Sequence, residues 1–343
     1  MLRVPVIATL VAASVFHFSR DPELLKAQDA ERGGDPLNAL RWSLASLRRR
    51  PSGLAAARIA ARNLSQLLYP DEAEAYYLKL RSRGVFDVDD AHARALGLTR
   101  ANRRDSAVLA YKEILSRTPE DAAALQRLAA IHWGSGRGEE ALALAERLSR
   151  TPAGVVPGLA IMAAVEHASG KRPEAIRHSR ALLDVDPELK GLAQSPLIFW
   201  VEFGTDLLSE GLPSEARRRL EPVAARLADP GLMDLLAQTY LDEGDRDEAE
   251  RWWRRSIERE AGRAQPWLQL GRLALQRQTP AEAVDALSRA NELRPGDYET
   301  LAALAAAHRL LGHAGPAAEF QAEARRAMPK SEGGMGADAP PKP

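Results

Sequence analysis

"PWLQLGRLALQRQTPAEAVDALSRANELRP", residues 266–295, decides the fold. Its halves read as two helices. Gly271 and Ala283 are small residues standing where the two would cross, and antiparallel helices approach to about 8–10 Å only when the crossing side chains are small. Pro295 closes the second helix, because proline cannot extend a helix that precedes it.

Working outward, the same pattern tiles the chain in blocks of about thirty-four residues starting at 20, 54, 88, 122, 156, 197, 230, 264 and 298. The twentieth position is alanine in every block: Ala39, Ala73, Ala107, Ala141, Ala175, Ala216, Ala249, Ala283 and Ala317. The eighth is always small: Ala27, Ala61, Ala95, Ala129, Ala163, Gly204, Ala237, Gly271 and Ala305. Such self-similarity marks a repeat architecture, and each block reads as a helical hairpin. Glycine fills the fifteenth position in six blocks (Gly34, Gly136, Gly170, Gly211, Gly244, Gly312), where the first helix ends and the chain turns. Pro51, Pro119, Pro187, Pro295 and Pro329 end the second helix at the thirty-second.

In the quoted stretch Trp267, Leu270, Gly271, Ala283, Leu287, Ala290 and Pro295 occupy the signature positions of the tetratricopeptide repeat (TPR), with Ala274 in place of its usual tyrosine. Trp200, Phe203, Gly204, Leu207, Ala216 and Leu220 repeat much of the signature. The chain resembles that family over residues 20–329. The resemblance implies an all-α fold, a right-handed α-solenoid of about nine TPR-like helical hairpins. Block three matches least, with Arg94 at an expected apolar position. Seven extra residues, "KGLAQSP" (190–196), separate blocks five and six, and Pro222 lies inside a second helix; a longer loop with a kinked helix and a functional hinge are both open readings.

Composition agrees with helices. Alanine makes up 62 of 343 residues and aromatics only 5%. With 47 basic and 47 acidic residues, the chain offers no general attraction to nucleic acid or an anionic membrane. There is no cysteine, so disulfides and thiolate chemistry are excluded. The apolar run Val4–Phe18 behind Arg3 makes residues 1–19 a hydrophobic signal or membrane anchor, or else a helix that packs on the fold. Residues 330–343 lack apolar periodicity and are expected to form a disordered tail.

"AERWWRRSIERE" (249–260) invites a nucleic-acid reading, but in register Trp253 falls four residues after Ala249, on the packing face. The expectation is a core aromatic beside a partly exposed Trp252, with a solvated arginine face and no nucleic-acid partner. "LRRRP" (47–51) places positive charge at a helix end, where the macrodipole favours it.

No catalytic or metal motif emerges. The histidines form no paired signature with acids, and "GSGRG" (134–138) is an interhelix turn lacking the strand that precedes a phosphate cradle. His132 and His308, at the eleventh position, read as polar-tipped packing residues. No catalytic residue, metal or cofactor is expected.

The family resemblance implies a concave groove lined by first helices, with positions two, five, nine, twelve and thirteen facing inward. Carried onto this sequence, they give partner-binding candidates Arg32, Arg58, Arg62, His92 and Arg100; Trp133, Ile198, Val201 and Leu208; and Asp234 and Asp242. The arginines suit a carboxylate-bearing segment and the apolar middle suits hydrophobic side chains; ordinary solvent-facing residues are the alternative. The carboxylate clamp of chaperone-binding relatives is not reproduced: Leu24, Arg58 and His92 hold the fifth position, and Gln28, Arg62 and Leu96 the ninth. The function expected is a non-enzymatic scaffold binding a protein or peptide, membrane-tethered or exported in an envelope assembly. A soluble cytoplasmic adaptor is the alternative, and a helical-repeat enzyme a more distant one.

Overall fold

The computed structural model describes residues 21–328; the expected signal or anchor at 1–19 and the expected tail at 330–343 lie outside them. Among the described residues there are eighteen helices and no strands, arranged as nine hairpins. The first four hairpins are α1 (Pro22–Arg32) with α2 (Pro36–Arg49), α3 (Leu54–Gln66) with α4 (Pro70–Ser82), α5 (Val88–Arg100) with α6 (Arg104–Arg117), and α7 (Ala122–Trp133) with α8 (Gly138–Ser149). The fifth is α9 (Val155–Ala168) with α10 (Arg172–Val185). The last four are α11 (Pro196–Ser209) with α12 (Pro213–Leu227), α13 (Pro230–Asp242) with α14 (Arg246–Arg259), α15 (Ala264–Gln276) with α16 (Pro280–Leu293), and α17 (Tyr298–Leu310) with α18 (Ala314–Ala327). The fold is an all-α helical-repeat fold. No described helix is long and apolar enough to cross a membrane.

Two compact units divide the chain within the fifth hairpin: residues up to Val165 with Ala181–Gly191 form one, Glu166–Arg180 with residues from Leu192 onward the other. In each, successive hairpins stack by burying small and aliphatic side chains between them. In the first unit Leu98, Tyr111, Ile114, Leu125, Leu128 and Leu148 join one cluster spanning α5 to α8. In the second, Leu268, Leu287, Ala290 and Leu304 do the same from α15 to α17.

The alanines of the twentieth position are buried in all nine hairpins. Where the eighth position is glycine the space is fully used: a Cβ on Gly204 would stand 2.5 Å from a methyl of Leu235 and 2.8 Å from one of Leu220. The fifteenth position has a stricter backbone rule than its glycines suggest. All nine residues there have positive φ, from +57° to +88°, including Leu68, Asn102 and Gln278. Only the left-handed conformation lets the chain leave one helix and enter the next in so few residues.

Helix starts are capped by aspartates. Asp21, Asp87, Asp121, Asp229 and Asp297 accept backbone N–H groups at the N-termini of first helices, replacing partners that a helix cannot provide itself. The insertion begins as an ordered turn: the Asp186 carboxylate accepts the amides of Lys190 (3.1 Å) and Gly191 (2.7 Å), and Leu189 takes φ +55°. Helix α12 continues through Pro222 to Leu227, although the ring leaves the Arg218 carbonyl without a helical donor.

Two details differ from the expectations. Trp252 is as buried as Trp253 (5% and 1% exposed), because the Arg255 guanidinium lies 4.6 Å over the ring that was expected to be partly exposed. Arg94 is accommodated at its apolar position by an ion pair with Glu74 at 2.6 Å, so the third hairpin forms in regular fashion.

Candidate protein-binding face

The candidate residues fall into two groups: those held by the chain itself and those left open. Arg58 and Arg62, one turn apart on α3, both reach the next repeat's Asp90, at 3.0 and 2.8 Å. Asp90 is fully buried, and it closes a capping box with Asp87 at the start of α5. Burial works to raise the Asp87 carboxyl, but the Asp90 amide and the two guanidinium groups outweigh it and hold it below the ordinary carboxylate range. His92 repeats this arrangement one hairpin later, its Nε2 lying 2.9 Å from Asp121, the cap of α7.

Asp234 on α13 takes two nitrogens of Arg263, at 2.9 and 2.6 Å. Burial pushes this carboxyl up despite the hydrogen bonds of Ser256 and Arg263. Four candidates therefore clasp one repeat to the next, and Arg58 and Arg62 do not stand free for an acidic partner. The signal was present in the sequence for the three cations, since an aspartate cap, Asp87 or Asp121, follows Arg58, Arg62 and His92 by about one repeat.

The others are open. Arg100 is exposed and has no ion pair among the described residues. Arg32 is exposed and paired only with Asp29 within its own helix, and Asp242 is exposed with Gln238 donating to it at 2.7 Å. Trp133, at the end of α7, is 36% exposed. On α11, Ile198 and Val201 are 47% and 37% exposed and Leu208 is half-buried; all three fall within one arc of the helix.

Sequence reasoning missed an acid cluster beside that arc. Asp206 is buried with its Oδ1 2.8 Å from His167 Nδ1, and burial pushes its carboxyl up against the pull of that histidine. Burial likewise raises Glu202, one residue after Val201. His132 is buried and its pKa is lowered by that burial, then by Arg137, while His308 stacks on Phe320 with ring centroids 5.5 Å apart. Among the described residues no three His, Asp or Glu side chains gather as a metal site requires.

A model of the tetratricopeptide repeat matches residues 98–154, from the last turn of α5 past the end of α8. The hairpin it covers, with Ala129 and Ala141 buried and Gly136 at φ +73°, recurs in the other eight blocks. Over residues 98–154 the chain carries the tetratricopeptide repeat. No curated protein matches it significantly.

Solved tetratricopeptide-repeat structures are similar at low identity. A tetratricopeptide repeat protein from Parabacteroides merdae is 17% identical, over 69% of this chain and 91% of that one, with a TM-score of 0.47. YrrB, described as having an unusual peptide-binding site, is 17% identical over 56% and 95%, at 0.49. The type IV pilus biogenesis factor PilW is 18% identical over 62% and 95%, also at 0.49. Tetratricopeptide repeats serve protein–protein interaction in general.

Proposed function

We propose that the protein is a non-enzymatic scaffold whose first helices hold a segment of a partner protein, with α11 as the principal contact. The observation that carries this reading is the exposed arc of Ile198 and Val201, flanked by Leu208. A helix that leaves large aliphatic groups in water on one face loses hydrophobic free energy of about 25 cal/mol per Å² that a partner would recover. The arginine end contributes less than the sequence suggests, because Arg58 and Arg62 are engaged by Asp87 and Asp90; Arg32, Arg100 and Trp133 are the open candidates of that unit. The apolar run within residues 1–19 supports a position at a membrane or beyond it, in an envelope assembly.

The test of the contact is affinity purification from native cells with wild-type protein and with Ile198→Asp/Val201→Asp. Retained helicity with loss of specific partners supports it; an unchanged partner set overturns it. Fractionation of full-length protein beside a form starting at Arg20 tests location. Membrane association of the first and release of the second support tethering, and a soluble, uncleaved full-length protein assigns a cytoplasmic adaptor instead. Hydrolytic or transferase activity in the pure protein would overturn the scaffold reading itself.

A further inference from the structure

The eleventh and twenty-third positions of a repeat face each other over the first helix, and in two repeats their contact is direct. In the fifth repeat Glu166 and His178 meet at 2.6 Å, and in the ninth His308 stacks on Phe320. The seventh repeat has Tyr240 and Trp252 there, the second Leu64 and Tyr76, and the fourth His132 and Leu144. Across the nine repeats, the eighth alone has alanine at both, Ala274 and Ala286.

The missing volume is visible as a cleft of about 640 Å³ between α14 and α16, floored by α15. Ile257, Trp267 and Leu270 line it beside the two alanines. A cleft in the same register over the fourth repeat, where His132 and Leu144 occupy those positions, is smaller, about 440 Å³. Empty apolar space of this kind loses the contacts that a side chain would make.

The rim carries a net charge that packing does not require. Its arginines are neutralised within the chain: Arg254 pairs with Glu250, Arg277 with Asp247, and Arg289 with Glu292. Glu258 and Asp285 are exposed and have no ion pair among the described residues. The corresponding residues of the fourth-repeat cleft are the uncharged Ser116 and Ala143.

We propose that this cleft of the eighth repeat is a second docking site, taking one aromatic side chain, flanked by lysine or arginine, from a segment of another protein. The anchor supplies the ring that sister repeats provide from their own sequence, and the flanking cations meet Glu258 and Asp285. A buried aromatic anchor with a complementary charged rim is how small interfaces concentrate their affinity. The site lies on the second-helix side and does not depend on the contact proposed for α11.

The experiment titrates the full-length protein against short labelled synthetic peptides, each with a central Trp, Phe or Ala between two lysines or two glutamates, read by fluorescence anisotropy. The expected result is binding of the lysine-flanked Trp and Phe peptides about tenfold or more tighter than of the others. Ala286→Trp, which copies Trp252 of the preceding repeat, should abolish that preference while leaving the melting temperature equal or higher. Should that variant fail to fold, Ala274→Leu, copying the second, third and sixth repeats, serves the same purpose. Glu258→Lys with Asp285→Lys should weaken the lysine-flanked peptides about tenfold and favour the glutamate-flanked ones. Absence of anchor preference, or binding that survives the plugged variants, overturns the proposal. Ile198→Asp/Val201→Asp should leave this binding unchanged, which separates its failure from that of the α11 contact.

Discussion

The Cβ that Gly271 lacks would stand 2.4 Å from Cγ of Leu287, so the first and second helices of the eighth repeat cross in contact at a glycine. Gly271→Ala should destabilise by about 1–3 kcal/mol through overpacking, and Leu287→Ala by about 2–5 kcal/mol through the cavity it leaves. In the double variant the alanine Cβ occupies part of that cavity, so the two costs should fall short of their sum. Denaturation midpoints of the four proteins check this; strict additivity would mean that the two residues do not share the space.

Gln278 has φ +60° and is exposed, a conformation that costs an L-residue about 1–2 kcal/mol. Gln278→Gly removes that strain at the cost of a more flexible unfolded chain, for a net gain of up to about 1 kcal/mol. Asn102→Gly, where asparagine already tolerates φ +57°, should change the melting temperature little.

Asp87 caps α5 and faces Arg58 and Arg62. Asp87→Ala should cost about 1 kcal/mol at neutral pH, and Asp87→Asn less, since asparagine still caps. The folded state holds this carboxyl below its ordinary range, so its contribution is fully present above about pH 4 and is lost as pH falls through the folded value. The gap between wild type and Asp87→Ala should therefore narrow in acid, as followed by urea melts at several pH values.

Glu202 has the opposite sign. Burial holds its carboxyl above the ordinary range, so the folded chain binds that proton more tightly than the unfolded chain, and stability from this group falls as pH rises above about 4.3. Glu202→Gln should raise the melting temperature at neutral pH, with a gain that shrinks toward pH 4. A constant gain across that range would assign the effect to packing instead of charge.

Most of the architecture was legible because its causes are local. Ala283 and Gly271 must be small for two helices to cross, and a glycine such as Gly136 must turn the chain; these requirements recur every repeat and leave a period in the text. The functional residues were less legible. Arg58, Arg62 and His92 read as groove cations, but whether a cation is free depends on Asp90 and Asp121 about one repeat away, and that pairing exists only once the hairpins stack. Trp252 was misjudged for the same reason, since Arg255 covers a ring that helical register alone leaves half in water.

The sequence by itself determined the helical hairpins, their register and the small residues at their crossings, because side-chain volume and backbone freedom act within a few residues of their place in the chain. Tertiary structure alone decided which charges are spent between repeats, and that Ala274 and Ala286 open onto one cleft. Both depend on distances between groups far apart in the chain, and such distances are set by packing rather than by residue type.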